Sequence, residues 1–165
     1  MQYILQNPGT VLKLTLEHIQ ISLISVAISI VIGVVIGIIL TRIKILQGPV
    51  LGLAGVLYTI PSLALFAMLI PFFGLGLKPT VFALILYSQL AIIRNTVSGI
   101  ETIDPSIIEV AEGMGMTGWQ KLFLVELPLG LPVIMAGVRM VTVMAIGVAT
   151  IASYISAAWL GDLIF

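Results

Sequence analysis

Few side chains in this chain are able to do chemistry. His18 is the single histidine and cysteine is absent. This argues against a His/Cys zinc site, a disulfide scaffold, haem attachment or thiol catalysis, and leaves only carboxylate-bound magnesium as a metal option. The paired carboxylates Glu109 and Glu112 lie on a polar stretch rather than inside an apolar one, and no nucleophile with an adjacent base accompanies them. No G-x-x-x-x-G-K-[ST] phosphate loop occurs, so the chain has no nucleotide-hydrolysing motif of its own. What remains is a set of isolated polar and aromatic residues at informative depths: Arg139 and Gln89 within apolar runs, and Tyr58, Phe66, Tyr87, Tyr154 and Trp159, whose ring faces can attract a cation. Membrane-interface packing is an equally good use of those rings.

The elements that must position these residues are membrane helices. Of 165 residues, 60% are hydrophobic and only 8% are charged, against about a quarter in a soluble domain. Seven basic residues balance seven acidic ones, which leaves no electrostatic case for nucleic acid. Apolar runs predict spans over 19–41, 49–70, 79–93 and 128–151. Charge is absent from Ile45 to Leu77, too long for one span and too short for two with a loop, and Pro61 is expected to bend the helix there. A cleaved signal peptide is disfavoured, because the basic residues follow the first apolar run. Placing the ends of the first and third spans inside puts Arg42, Lys44, Arg94 and Lys121 in the cytoplasm against Lys13 and Lys78 outside, which predicts an external N terminus. Gly33 and Gly37 permit close helix approach, and Gly48, Gly52 and Gly55 form a second small-residue group.

Residues 94–126 carry most of the acidic charge and are expected to form a solvent-facing connection. Asp104-Pro105 suits a helix start, after which Ile107, Ala111 and Met114 form an apolar stripe with Glu109 and Glu112 on other faces. Thr117 and Gln120 have capping-box spacing, and Trp119, Leu122 and Phe123 form an apolar edge. Helices this short need a tertiary or subunit surface.

The same segment resembles the EAA loop, EAA-x3-G-x9-I-x-LP, of bacterial ABC importer permeases. Glu109, Ala111, Gly115, Leu127 and Pro128 match by identity, and Val110 and Val125 depart from it. The stretches Tyr58 to Gly76, Ile92 to Ile100, Gly113 to Arg139 and Leu160 to Phe165 are similar to permease subunits of osmoprotectant importers, with Ala157-Ala158-Trp159 replacing the usual glycine-rich lead-in to LGD.

The resemblance implies an all-α, polytopic type I importer domain across 1–165, C-terminally incomplete because members continue with at least one more helix. It implies that Glu109, Ala111, Gly115, Met116 and Thr117 couple to an ATPase, with Trp119, Leu127 and Pro128 supporting the loop, and that Tyr58, Gln89 and Arg139 are candidates for the translocation path or buried polar roles. The implied partners are a cytoplasmic ABC ATPase dimer that uses ATP and Mg, a second identical or paralogous permease, an extracytoplasmic substrate-binding protein, and a small quaternary ammonium substrate such as glycine betaine, carnitine or choline. This chain is expected to bind no cofactor or metal, to catalyse nothing itself, and to sit as a multi-pass protein in the bacterial cell membrane.

Bland alternatives stand beside these readings. Glu109 is otherwise a solvated helix carboxylate, Gly115 a simple helix break, and Arg139 a paired or snorkelling cation. At the level of the whole chain the alternatives are a related ABC permease for another substrate, such as bile exclusion, or a noncatalytic membrane scaffold.

Overall fold

The computed structural model describes residues 8–152 and is wholly helical among them. Tyr154, Trp159 and the 160–165 stretch lie outside the described residues. The elements are α1 (Pro8–Arg42), a 3-10 turn (Lys44–Leu46), α2 (Gln47–Thr59), α3 (Ser62–Phe73), α4 (Leu77–Glu101), α5 (Pro105–Gly113), α6 (Gly118–Lys121), a π-helical turn (Leu122–Glu126) and α7 (Leu127–Ile151).

Among the described residues three helices are long and apolar enough to cross a membrane: α1, α4, and the run from α6 through α7. The α2–α3 pair makes a fourth if it is counted as one broken span. That pair corrects the expectation of a single bent helix over 49–70, because the two pieces meet at 99°. The cause is local. A proline disfavours helical geometry in the residue before it, and Ile60 is accordingly extended (φ −66°, ψ 127°), as is Pro61 itself (ψ 136°).

Other helix ends also fall away from the apolar-run boundaries. α1 begins at Pro8 rather than near Ile19, since nothing between Pro8 and Arg42 breaks a helix and Lys13 pairs with Glu17 one turn on at 3.9 Å. His18, expected outside the first span, is therefore inside a continuous helix and is buried. α4 runs through Arg94 to Glu101 instead of stopping near Ile93, so the connecting segment starts at 102. Charge marks where hydrocarbon ends, and a helix continues until its backbone meets a breaker.

α4 is the hub and packs against α1, α2, α3 and α7. α1 runs parallel to it and approaches closely at glycines. A Cβ on Gly33 would fall 2.6 Å from Ile92 Cγ2, and one on Gly37 would fall 2.5 Å from Thr96 Cβ. α7 runs antiparallel to α4, with Gly99 and Gly130 back to back; a Cβ on Gly99 would stand 2.8 Å from the Gly130 carbonyl oxygen. Apolar clusters fill the remainder, one around Phe66, Leu69 and Tyr87 and another around Leu84, Ile92 and Val141. Between helices in lipid, such close packing replaces the hydrophobic drive available in water.

His18, Ser22, Ser25 and Ser29 recur on one face of α1 and are all buried. His18 Nε2 lies 3.1 Å from the Ile146 carbonyl of α7, and Ser29 donates to the Ser25 carbonyl. His18 Nδ1 and the Ser22 and Ser25 hydroxyls have no protein partner.

Candidate functional site

Two regions hold the candidate residues. The first is the connection from 102 to 126. Asp104 caps α5 by accepting from the Ser106 backbone N–H at 2.9 Å, and that bond holds its carboxyl below the ordinary value of 3.8. Pro105 occupies the first helical turn. α5 ends where Met114 N–H reaches the Val110 carbonyl, and Gly115 turns the chain at φ +77°, a region that suits glycine. Thr117 and Gln120 then form the expected capping box at the start of α6.

The expected apolar stripe divides by burial. Ala111 is buried against the chain, whereas Ile107 and Met114 are exposed, as is Val110 outside that stripe. The expected edge of the next helix divides likewise. Leu122 is buried, while Trp119 is 72% exposed and stacks on exposed Phe123 with ring centroids 5.9 Å apart. Glu109 is exposed and has no ion-pair partner among the described residues, whereas Glu112 pairs with Lys121 and ties α5 to α6. Met116 and Leu127 are half-buried, and Pro128 is exposed at the start of α7. The π turn precedes it, with Leu127 N–H reaching back five residues to the Leu122 carbonyl. Since Pro128 has no N–H to donate, the widened turn sits where the regular helical ladder would be interrupted in any case.

The charges flanking the apolar runs do more than mark boundaries. Glu126 is buried and paired with Arg42, the last residue of α1. Gln47 of α2 donates to Glu101 at 2.7 Å and, from the same nitrogen, to the Leu40 carbonyl. Neither tie was legible as a contact, although the sequence signal was present: each acid and its partner abut apolar runs at the same end of the bundle. A cavity of about 570 Å³ separates the end of α1 from this connection, lined by Ile39, Arg42, Trp119 and Lys121 among others.

The second region concerns Tyr58, Gln89 and Arg139, which the fold does not bring together. Gln89 turns toward α1, where its Oε1 is buried without a protein partner beside Gly33. Arg139 points directly away from the α7 face that carries buried Ile134, Gly137 and Val141. It is exposed, has no ion-pair partner among the described residues, and lies about 18 Å from either end of α7, beyond the reach of a snorkelling side chain. Tyr58 stands edge-on to Tyr87 (6.2 Å, 88°) in a groove between α2, α4 and α7, and the Tyr87 hydroxyl donates to the Ile60 carbonyl at the helix break. Arg94, not singled out from sequence beyond its charge, lines the same groove. Among the described residues no group of three or more His, Cys, Asp or Glu side chains is gathered to hold a metal.

The described residues thus form a multi-pass helical bundle with a two-helix connection at one end and a broken span beside its central helix. Over residues 10–165 the chain matches the family described as "Binding-protein-dependent transport system inner membrane component". It is 46% identical over 165 residues to the Bacillus subtilis (strain 168) glycine betaine/carnitine/choline transport system permease protein OpuCB, covering 100% of this chain and 76% of that one. It is 43% identical over 162 residues to the permease protein OpuCD of the same name and organism, covering 98% and 71%. In fold it superposes on the MetNI methionine ABC transporter in an inward-facing conformation with a TM-score of 0.83 at 22% identity, covering 94% of this chain and 78% of that one. The chain belongs to the family of ABC importer permease subunits that includes these osmoprotectant permeases.

Proposed function

We propose that this permease carries glycine betaine, carnitine, choline or a related quaternary ammonium solute into the cell, driven by ATP and Mg turned over on a separate cytoplasmic ABC ATPase dimer. An extracytoplasmic binding protein delivers the solute, as the family's description suggests. A second permease completes the pathway. Likeness to both OpuCB and OpuCD, named as permeases of one kind of system in one organism, supports a paralogous pair as readily as two identical copies.

The observation that carries the coupling role is the exposed apolar surface of the 102–126 connection. Val110, Met114 and Phe123 are exposed, as is Trp119 at the rim of the cavity by the end of α1, and Glu109 beside them has no ion-pair partner among the described residues. So much exposed apolar surface on a polar connection marks a protein contact. Buried Ala111 seats α5, Gly115 sets the angle to α6, Met116 and Thr117 shape the turn, and Leu127 and Pro128 join it to α7. The Arg42–Glu126 pair ties this end of α7 to α1, so a push on the connection reaches the spans. On this reading the connection is inside and the N terminus outside, the orientation that the basic residues favour. Arg139 is too costly to face lipid, and its exposed face of α7 is assigned to the second permease or to a hydrated path.

The test is uptake of radiolabelled glycine betaine into proteoliposomes holding all the subunits, for the parent and for Glu109→Ala with Gly115→Leu. The expected result is ATP-dependent uptake by the parent and its loss in the variant, with normal permease abundance and weak ATPase binding or uncoupled hydrolysis. Normal uptake by the variant would make the connection a passive linker.

A further inference from the structure

Two cavities of about 230 Å³ each adjoin at Tyr58. One is lined by Tyr58, Ile60, Ser62, Tyr87, Met144 and Val148. The other is lined by Tyr58, Leu90, Ala91, Arg94, Asn95 and Met140. The linings advance together by single helical turns, from Tyr87 through Leu90 to Arg94 on α4 and from Val148 through Met144 to Met140 on antiparallel α7. They therefore form one groove, with the half-exposed Tyr58 ring between its halves.

The chemistry along the groove is bipolar. Around Tyr58 it offers one half-exposed aromatic ring, the small accessible part of the buried Tyr87 ring behind it, and methionine side chains, a surface that favours a methylated ammonium group over a strongly hydrated cation. At the Arg94 end it offers a guanidinium with no ion-pair partner among the described residues, and no Asp or Glu lines either half. The nearest acid along α4 toward that end, Glu101, is two turns away and is engaged by Gln47. Asn95 commits its Nδ2 to the Ala91 carbonyl at 2.8 Å and is admitted by Gly137, where a Cβ would fall 2.8 Å from its own. Arg94 is exposed about two turns before the end of α4, so its guanidinium is open to an anion entering the groove.

We propose that this groove binds a small zwitterion, with its methylated ammonium on Tyr58 and Tyr87 and its carboxylate on Arg94, so that Arg94 makes the permease itself favour carboxylate-bearing quaternary amines over the alcohol choline. The proposal deepens the transport reading above and rests on it. A carboxylate gains a charge-assisted, two-pronged hydrogen bond from arginine that an alcohol does not.

The decisive measurement is saturation-transfer NMR of glycine betaine and of choline on the purified permease–ATPase complex without binding protein. In Arg94→Gln the Kd for glycine betaine is expected to rise tenfold or more while that for choline stays within twofold. Arg94→Lys should retain part of the betaine affinity, which guards against a folding defect. Tyr58→Leu should weaken both solutes, and Tyr58→Phe neither. An unchanged betaine Kd in Arg94→Gln, an equal loss for both solutes, or no binding of either by the parent complex would overturn the proposal. Failure of the transport reading shows separately, as absence of quaternary ammonium uptake by the parent system in proteoliposomes.

Discussion

Glu126, only 3% exposed at the foot of α7, is paired with Arg42, the last residue of α1, across 84 positions of sequence. Removing Arg42 strands a buried carboxylate, which costs about 3–5 kcal/mol for a fully buried pair and about 2 kcal/mol here, because the arginine is 45% exposed. Arg42→Ala is therefore expected to lower the thermal midpoint of the detergent-solubilised complex, and Arg42→Ala with Glu126→Gln to recover part of the loss. A midpoint for Arg42→Ala equal to the parent's would show that the pair contributes nothing, and equal midpoints for the single and double variants would show that the stranded carboxylate is not the cause of the loss.

Gly115 stands at φ +77°, where an ordinary side chain costs roughly 1–2 kcal/mol and Asn is tolerated. Nothing lies within 4 Å of an added Cβ, so the cost is conformational and not steric. Gly115→Asn should keep most ATP-dependent uptake and Gly115→Val should lose it, each at normal membrane abundance. Matching activities for Asn and Val would remove the conformational explanation.

Asp104 accepts from the Ser106 N–H more strongly when ionised, and that preference holds its native pKa below 3.8. A lowered native pKa means that the cap stabilises fully above the unfolded value and is lost as pH falls through the native one. Amide-exchange protection over α5 should thus hold from neutrality to about pH 5 and fall below pH 4. Asp104→Asn, which keeps a neutral cap, should flatten that dependence, and Asp104→Ala should lower protection at every pH.

Glycines of similar appearance are predicted to behave oppositely. Gly99→Ala places a methyl 2.8 Å from a backbone oxygen that cannot rotate away, and should separate α4 from α7 and reduce recovery of folded permease at least severalfold. Gly52→Ala meets nothing within 4 Å and should be neutral or slightly stabilising through helix propensity. Detergent size-exclusion profiles of the two variants compare them directly.

The topology is open to labelling because the parent has no cysteine. A single Thr117→Cys is expected to react with an impermeant maleimide only after cells are permeabilised. Reaction in intact cells would reverse the assigned orientation.

Much of this fold was legible because membrane helices announce themselves by apolarity, and the short polar helices by their caps at Asp104 and Thr117. Helix ends were less so. Hydropathy stops at Ile93 while the backbone continues to Glu101, since no residue from Arg94 to Ser98 disfavours a helix. Pro61 signalled a bend, but its size depends on how α3 packs on α4 through Leu65, Phe66 and Leu69. Motif spacing located the coupling candidates, and the capping box is formed as its spacing required. The groove was hidden because Tyr58, Arg94 and Met140 lie on three helices and share no periodicity. Only the antiparallel pairing of α4 and α7 brings Arg94 level with Met140.

The two ties between α1 and α7 act together. One joins Arg42 to Glu126 and the other joins His18 to the Ile146 carbonyl, about 36 Å apart along α1 and about 30 Å along α7. Two rungs at that separation oppose sliding of the uprights, and α4 is seated against both through glycine contacts that leave no room for a methyl group. These three helices form a stiff plank through the bilayer. The elbow at Ile60–Pro61 is pinned to the same frame, because the Tyr87 hydroxyl of α4 holds the Ile60 carbonyl and Leu65, Phe66 and Leu69 seat α3 on α4, so the bracket that α2 and α3 form is bolted at its corner as well as along one arm.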